Sequence, residues 1–195
     1  MKRRQLGCPV VLPALFLILT AFCLPLRAQT ARPPSFLAEH YELAAYLDTT
    51  GQSINAVVKI DFRAVDVSTN LRVELHPNLD VRDVKTADGK SLAFQRENES
   101  PLFVSVTLPA PVAVGKTVTL TFSYAGLLAN EENSPVPNIR LASIGKDWVY
   151  LLLPSRWFPL TNYPANRYTG TFRLNVPATM TVAGTGKADS AQPLA

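Results

Sequence analysis

Histidine and cysteine, which supply most nucleophilic and metal-ligating chemistry in proteins, are nearly missing from this chain. Its 195 residues contain two of each. Both cysteines, Cys8 and Cys23, lie within the first 28 residues. The remainder therefore has no disulfide, no thiolate ligand and no sulfur nucleophile. His40 and Glu42 are spaced i, i+2 and share one face of a strand. Structural zinc takes four ligands and catalytic zinc three, so this pair reads as polar residues at a sheet margin. His76, just before Pro77, reads as a turn residue. No His-Glu-x-x-His, Gly-x-Ser-x-Gly or phosphate-cradling glycine run is present. Glu131 and Glu132 are adjacent carboxylates in a polar loop, which reads as solvated rather than held at a catalytic separation. Asn98-Glu99-Ser100 fits the glycosylation triplet.

Excess charge is lacking too, once the amino terminus is set apart. Lys2, Arg3 and Arg4 precede an apolar run from Val10 to Leu19 that continues to Leu24, and Leu26-Arg27-Ala28 follows Pro25. A basic start, a short apolar middle and a small-residue exit predict a secretory signal peptide over residues 1–28, cleaved near Ala28. The run is shorter than the roughly 20 apolar residues of a membrane helix, so no span is expected after cleavage. An uncleaved anchor is the alternative. Phe22 stands where a lipoprotein signal wants a small residue, which argues against a lipid anchor at Cys23. The leader holds four of the 19 basic residues (Lys2, Arg3, Arg4, Arg27) and no acidic one, leaving 15 basic against 15 acidic residues. A neutral chain with scattered charge lacks the basic footprint of nucleic-acid binding. The 167 residues left from 195 after position 28 suffice for one ordinary domain. The chain is thus expected to be exported, periplasmic or extracellular.

Helical periodicity is the last absence. No window carries an apolar 3.6-residue repeat of useful length, whereas period two is widespread. Residues 29–36, with Pro33-Pro34, read as an extended tether to a domain over 37–195. Ile54, Ala56, Val58, Ile60, Phe62 and Ala64 alternate with polar neighbours, as do Val118, Leu120, Phe122 and Tyr124. Further strands are expected at Tyr41–Leu47, Leu71–Leu75, Val81–Thr86, Leu92–Gln95, Phe103–Leu108, Trp148–Leu153, Thr169–Val176 and Thr179–Gly184. Turns fall at Thr50-Gly51, His76-Pro77-Asn78, Asp88-Gly89, Pro109-Ala110-Pro111 and Pro177, and Asn130–Pro137 reads as a polar loop. The fold class is all-β, a sandwich or saddle of mostly antiparallel sheets.

What is present is a concentration of rings. Trp148, Tyr150, Trp157, Phe158, Tyr163, Tyr168 and Phe172 crowd into residues 148–177. Phe172, Leu174 and Val176 read as one core-facing row, and Trp157, Tyr163 and Tyr168 either as packing or as a platform for sugar rings. Arg156 is the one charge between Trp148 and Leu160 and calls for a carboxylate across an interface.

Several segments, taken in order, resemble the N-terminal domain of the aminopeptidase N family of zinc metallopeptidases. They are His40-Tyr41-Glu42-Leu43, Val58-Lys59-Ile60-Asp61-Phe62, Leu71 to Gly89, Leu120 to Gly126, and Trp157-Phe158-Pro159 with Phe172 to Pro177. The resemblance covers roughly Phe36 to Lys187. It implies a β domain packed against a thermolysin-like catalytic domain that acts on peptides and holds zinc through motifs absent from this chain. The chain alone is then inert, with no catalytic residue, no metal ligand and no cofactor of its own. Tyr150, Leu151, Arg156 and Trp157 are the residues the resemblance places nearest the substrate cleft or the domain interface. Family members carry a Gln or Glu before the Trp-Phe-Pro segment to grip the substrate amine. Val149, Tyr150 and Leu151 supply none here. The rival readings are a free-standing extracellular binding module, for carbohydrate among other ligands, and an envelope domain that only mediates assembly.

Overall fold

A computed structural model describes residues 33–129 and 139–189. The leader, the cleavage position near Ala28, most of the tether and the 130–137 loop lie outside the described residues. Ten strands run in chain order: β1 (Phe36–Asp48), β2 (Ser53–Ala64), β3 (Ser68–Glu74), β4 (Leu79–Thr86), β5 (Phe94–Arg96), β6 (Phe103–Val112), β7 (Thr117–Leu127), β8 (Ala142–Ile144), β9 (Val149–Leu151) and β10 (Thr169–Asn175). A 3-10 turn at Pro154–Arg156 stands between β9 and β10. Five strands form one sheet in the order β10-β1-β2-β7-β4, three form a second in the order β3-β6-β5, and β8 pairs with β9. All pairings are antiparallel except β1 with β10, which is parallel. The fold is an all-β sandwich.

Alternation builds the larger sheet. Every second residue of β2 from Ile54 to Ala64 is buried, while Asn55, Val57 and Lys59 are exposed. Register places Ile60 opposite Leu120, Val58 opposite Phe122 and Ala56 opposite Tyr124, so the inward rows of β2 and β7 coincide. The Phe62 and Phe122 rings meet edge-on at 6.3 Å. Leu71, Val73, Val104 and Val106 of the smaller sheet join the same core. Each such side chain contributes roughly 1.5–3 kcal/mol of burial. The outward face is polar and paired laterally, with Lys59 on Glu42 at 3.3 Å and Thr119 Oγ1 donating to Asp61 at 2.6 Å.

Two connections show why particular residues are needed. Gly89 adopts φ +84° in the Asp88-Gly89 turn, a left-handed conformation that glycine reaches without a Cβ penalty. The turn joins β4 to β5 and so carries the chain from the larger sheet to the smaller. Where β7 meets β4, Gly126 lies opposite Leu79, and a Cβ there would sit 1.8 Å from the Asn78 carbonyl oxygen.

Three expectations are corrected. β6 continues through Pro109 and Pro111 rather than turning there, because the β3 register slips between Ser68 and Asn70 and leaves those positions without ladder partners. Thr179–Gly184 forms no strand, and Val182 is exposed. The Phe172, Leu174 and Val176 row is only partly covered: Phe172 is 37% exposed, because among the described residues β10 is an edge strand with β1 as its one neighbour.

Candidate functional site

The aromatic window divides into two pieces of opposite character. The first is the β8–β9 hairpin. Val149 and Leu151 turn one face of β9 onto the core. Trp148, Tyr150 and Leu152 fall on the opposite face by strand alternation. Trp148 is 40% and Leu152 66% exposed. The indole of Trp148 stacks on Tyr150 at 5.2 Å and 15°. It also lies against Gly145, where a Cβ would come within 2.7 Å of the ring. The bare glycine backbone is thus the seat of the stack.

The second piece, Ser155 to Thr161, is buried at every residue. Pro154 starts a tight turn in which the Trp157 N–H donates to the Pro154 carbonyl at 2.9 Å. The segment then bonds to both sheets. Glu74 of β3 and Leu160 exchange backbone hydrogen bonds at 2.7 and 2.9 Å, and the His76 N–H donates to Ser155 O at 2.9 Å. Toward the larger sheet, Tyr124 Oη donates to Trp157 O at 2.8 Å and the Ala38 N–H donates to Thr161 Oγ1 at 2.9 Å. Asn166 Nδ2 donates to both Ala38 O and Thr161 Oγ1. A short peptide that would otherwise expose its backbone is satisfied from two sides. It acts as a keystone between the sheets.

Rings complete it. Phe158 packs edge-on to Tyr41 at 5.3 Å and to Trp157 at 4.7 Å, and Phe172 of β10 lies over both Phe158 (5.3 Å) and Trp157 (5.8 Å). Tyr168 reaches Tyr41 at 4.8 Å. Tyr41 Oη and Trp157 Nε1 are buried with no hydrogen-bond partner among the described residues, so ring packing rather than polar bonding holds this cluster. Burial pushes the Tyr41 phenol well above its ordinary range.

Of the residues singled out from the sequence, Arg156 and Trp157 are together in the keystone, each 8% exposed. Tyr150 and Leu151 are half-buried in the hairpin, on opposite faces of β9. Tyr163 is 52% exposed, whereas Tyr168 packs into the cluster. Arg156 lies near enough to Glu74 of this chain for its charge to act on that carboxyl. Burial raises the Glu74 pKa above its ordinary 4.5, and the charges of Arg156 and then Arg72 pull against that rise. Spacing alone could not reveal the Glu74–Arg156 relation, because the two segments are brought together by the backbone bonds of Glu74 with Leu160 and of His76 with Ser155. Trp148 was visible as a ring but not as an outward one.

The chemistry available is limited. Among the described residues no three His, Cys, Asp or Glu side chains are grouped to hold a metal. The zinc that the resemblance implies therefore does not fit the residues here. His40 Nδ1 lies 2.8 Å from Thr169 Oγ1, and His76 is buried with its Nδ1 accepting from the Asn78 N–H. An apolar groove among Leu108, Pro111, Val112 and Val118 has only Thr86 and Lys116 as polar side chains. Among the described residues no helix is long and apolar enough to cross a membrane.

Comparison with known proteins separates sequence from fold. No protein-family model and no curated protein sequence matches the chain. Solved structures do. A mutant M1 zinc metallopeptidase from Deinococcus radiodurans, bound to a Tyr-Ser-Ala substrate, superposes with a TM-score of 0.64 at 21% identity, over 80% of this chain and 36% of that one. A two-domain M1 zinc metallopeptidase mutant bound to L-arginine gives 0.63 at 21% identity, over 78% and 35%. An M1 zinc metallopeptidase from Deinococcus radiodurans gives 0.63 at 22%, again over 78% and 35%. This chain spans about a third of the length of those structures. Its β sandwich has the fold of a segment of the M1 zinc metallopeptidases.

Proposed function

We propose that this chain is the exported N-terminal β domain of an aminopeptidase N-like M1 zinc metallopeptidase. It supports a thermolysin-like catalytic domain and walls one side of the peptide-binding cleft. The observation that carries this reading is the shared fold, at a TM-score of 0.64 over 80% of the chain, with a zinc metallopeptidase of which the match covers 36%. In this reading zinc and the groups that activate water belong to the catalytic domain.

This domain's contribution is positional. The keystone fixes the two sheets against each other and anchors the chain just after the hairpin, where the Leu152 and Leu153 N–H groups both donate to Leu141 O. The Trp148, Tyr150 and Leu152 face is then the surface presented to the cleft or to the catalytic domain. Arg156 and Trp157 stiffen the hairpin's attachment from inside. No carboxylate or amide stands at Val149, Tyr150 or Leu151, so the outward face offers substrate the rings of Trp148 and Tyr150 and the Tyr150 hydroxyl, with no anionic side chain for an ammonium group.

The test is the gene beyond codon 195. A reading frame that runs on into His-Glu-x-x-His within a few hundred codons, with zinc-dependent peptide hydrolysis by the full product and none by this chain, is the expected result. The second reading, a free-standing carbohydrate-binding module, rests on the exposed Trp148–Tyr150 stack. A stop directly after codon 195, together with retention of the chain on a polysaccharide gel, replaces the first reading with it.

A further inference from the structure

The sheet edges of this domain are not treated alike. An open edge presents a row of unpaired N–H and C=O groups, and proteins blunt such rows with charge, bulges, brevity or cover. At one margin of the larger sheet, β4 carries Asp80, Arg82, Asp83 and Lys85 and has a register shift between Val81 and Asp83. In the smaller sheet β5 is three residues long, and β3 is irregular at Ser68–Asn70 and capped at Glu74 by the Leu160 bridge. β10 has none of these devices. It pairs with β1 in unbroken register from Thr169 to Asn175, carries one charge (Arg173) and exposes its first five residues. Phe172 lies half over the Tyr41–Trp157–Phe158 cluster and half in the open.

We infer that the outer edge of β10 is a strand-addition site, filled by an extended segment from the rest of the parent polypeptide. The chemistry of the edge selects the occupant. Every second residue of β10 turns its N–H and C=O outward, and only an extended peptide backbone offers donors and acceptors at that repeat. The segment brings an apolar side chain opposite Phe172, extending the ring cluster across the new strand. The inference rests on the proposed function for the source of the strand.

Hydrogen–deuterium exchange, on the full parent protein and on the 195-residue chain, tests it. Outward β10 amides exchange about a hundredfold or more slowly in the parent than in the chain alone, while β2 amides behave alike in both. Thr171→Lys, at an exposed β10 position, reduces that protection in the parent without altering unfolding of the chain. Equal β10 exchange in both proteins overturns the inference, even where the parent carries the peptidase motif. Protection that instead grows with the concentration of the isolated chain, with a dimer in sedimentation, also overturns it by making a second copy the occupant. A gene without the peptidase motif sinks the proposed function by a separate readout.

Discussion

The hairpin at Val149–Leu151 and the turn at Ser155–Thr161 come from one aromatic stretch and end in opposite environments. The turn is buried throughout and bonded to both sheets, while Trp148 and Leu152 of the hairpin stand 40% and 66% exposed. Proline and pairing make the difference. Pro154 starts the turn, and Glu74 then pairs with Leu160 and carries Trp157 and Phe158 inward. Among the described residues β9 has β8 as its only strand partner, and one face of β9 finds the core while the other does not. Aromatic density marks a region that matters. Backbone pairing decides whether its rings hold the domain together or face outward.

Substitutions sharpen that contrast, the largest effects being in the turn. Trp157→Ala removes a buried ring and the contacts of Phe158 and Phe172 with it, and costs about 3–5 kcal/mol in urea unfolding. Arg156→Ala removes a positive charge that acts on Glu74 and costs on the order of 2 kcal/mol, less than a fully buried pair because Glu74 is only partly covered. That cost depends on pH. The folded-state pKa of Glu74 is raised, so its protonation favours the fold at low pH, and this contribution is lost as pH rises through the raised value. Without Arg156 the rise is larger, so the penalty is greater near pH 7 than near pH 4, and Glu74→Gln abolishes the difference. In the hairpin, Gly145→Ala pushes a methyl into the Trp148 ring, which costs about 1 kcal/mol by unfolding and unseats the stack, visible in near-ultraviolet circular dichroism. Trp148→Ala stays within about 1 kcal/mol of the unsubstituted chain's stability, and under the proposed function its effect falls on peptide KM.

Much of the fold could be read from alternation alone. β2 buries every second residue from Ile54 to Ala64, β1 from Tyr41 to Leu47 and β7 from Leu120 to Tyr124, and these rows match the alternation in the sequence. Shorter elements were less legible. β8 buries all three of its residues and so has no period to detect. Thr179–Gly184 alternates correctly but has no strand beside it, and a strand exists only as a pair. The exposure of Phe172 depends on β10 lying at a margin, which follows from topology rather than from the residues of β10. At the candidate site the rings and Arg156 were visible, while Glu74 and the outward turn of Trp148 required the three-dimensional pairing.

The chain has two tryptophans, one in each region, so fluorescence reports each separately. Acrylamide quenching of Trp148→Phe and Trp157→Phe variants tests the division of the aromatic window most directly. Trp157, left alone in the first variant, emits at short wavelength and resists quenching, and Trp148, left alone in the second, emits at longer wavelength and quenches readily. Equal quenching of the two indoles in folded protein, or better protection of Trp148, would contradict the account.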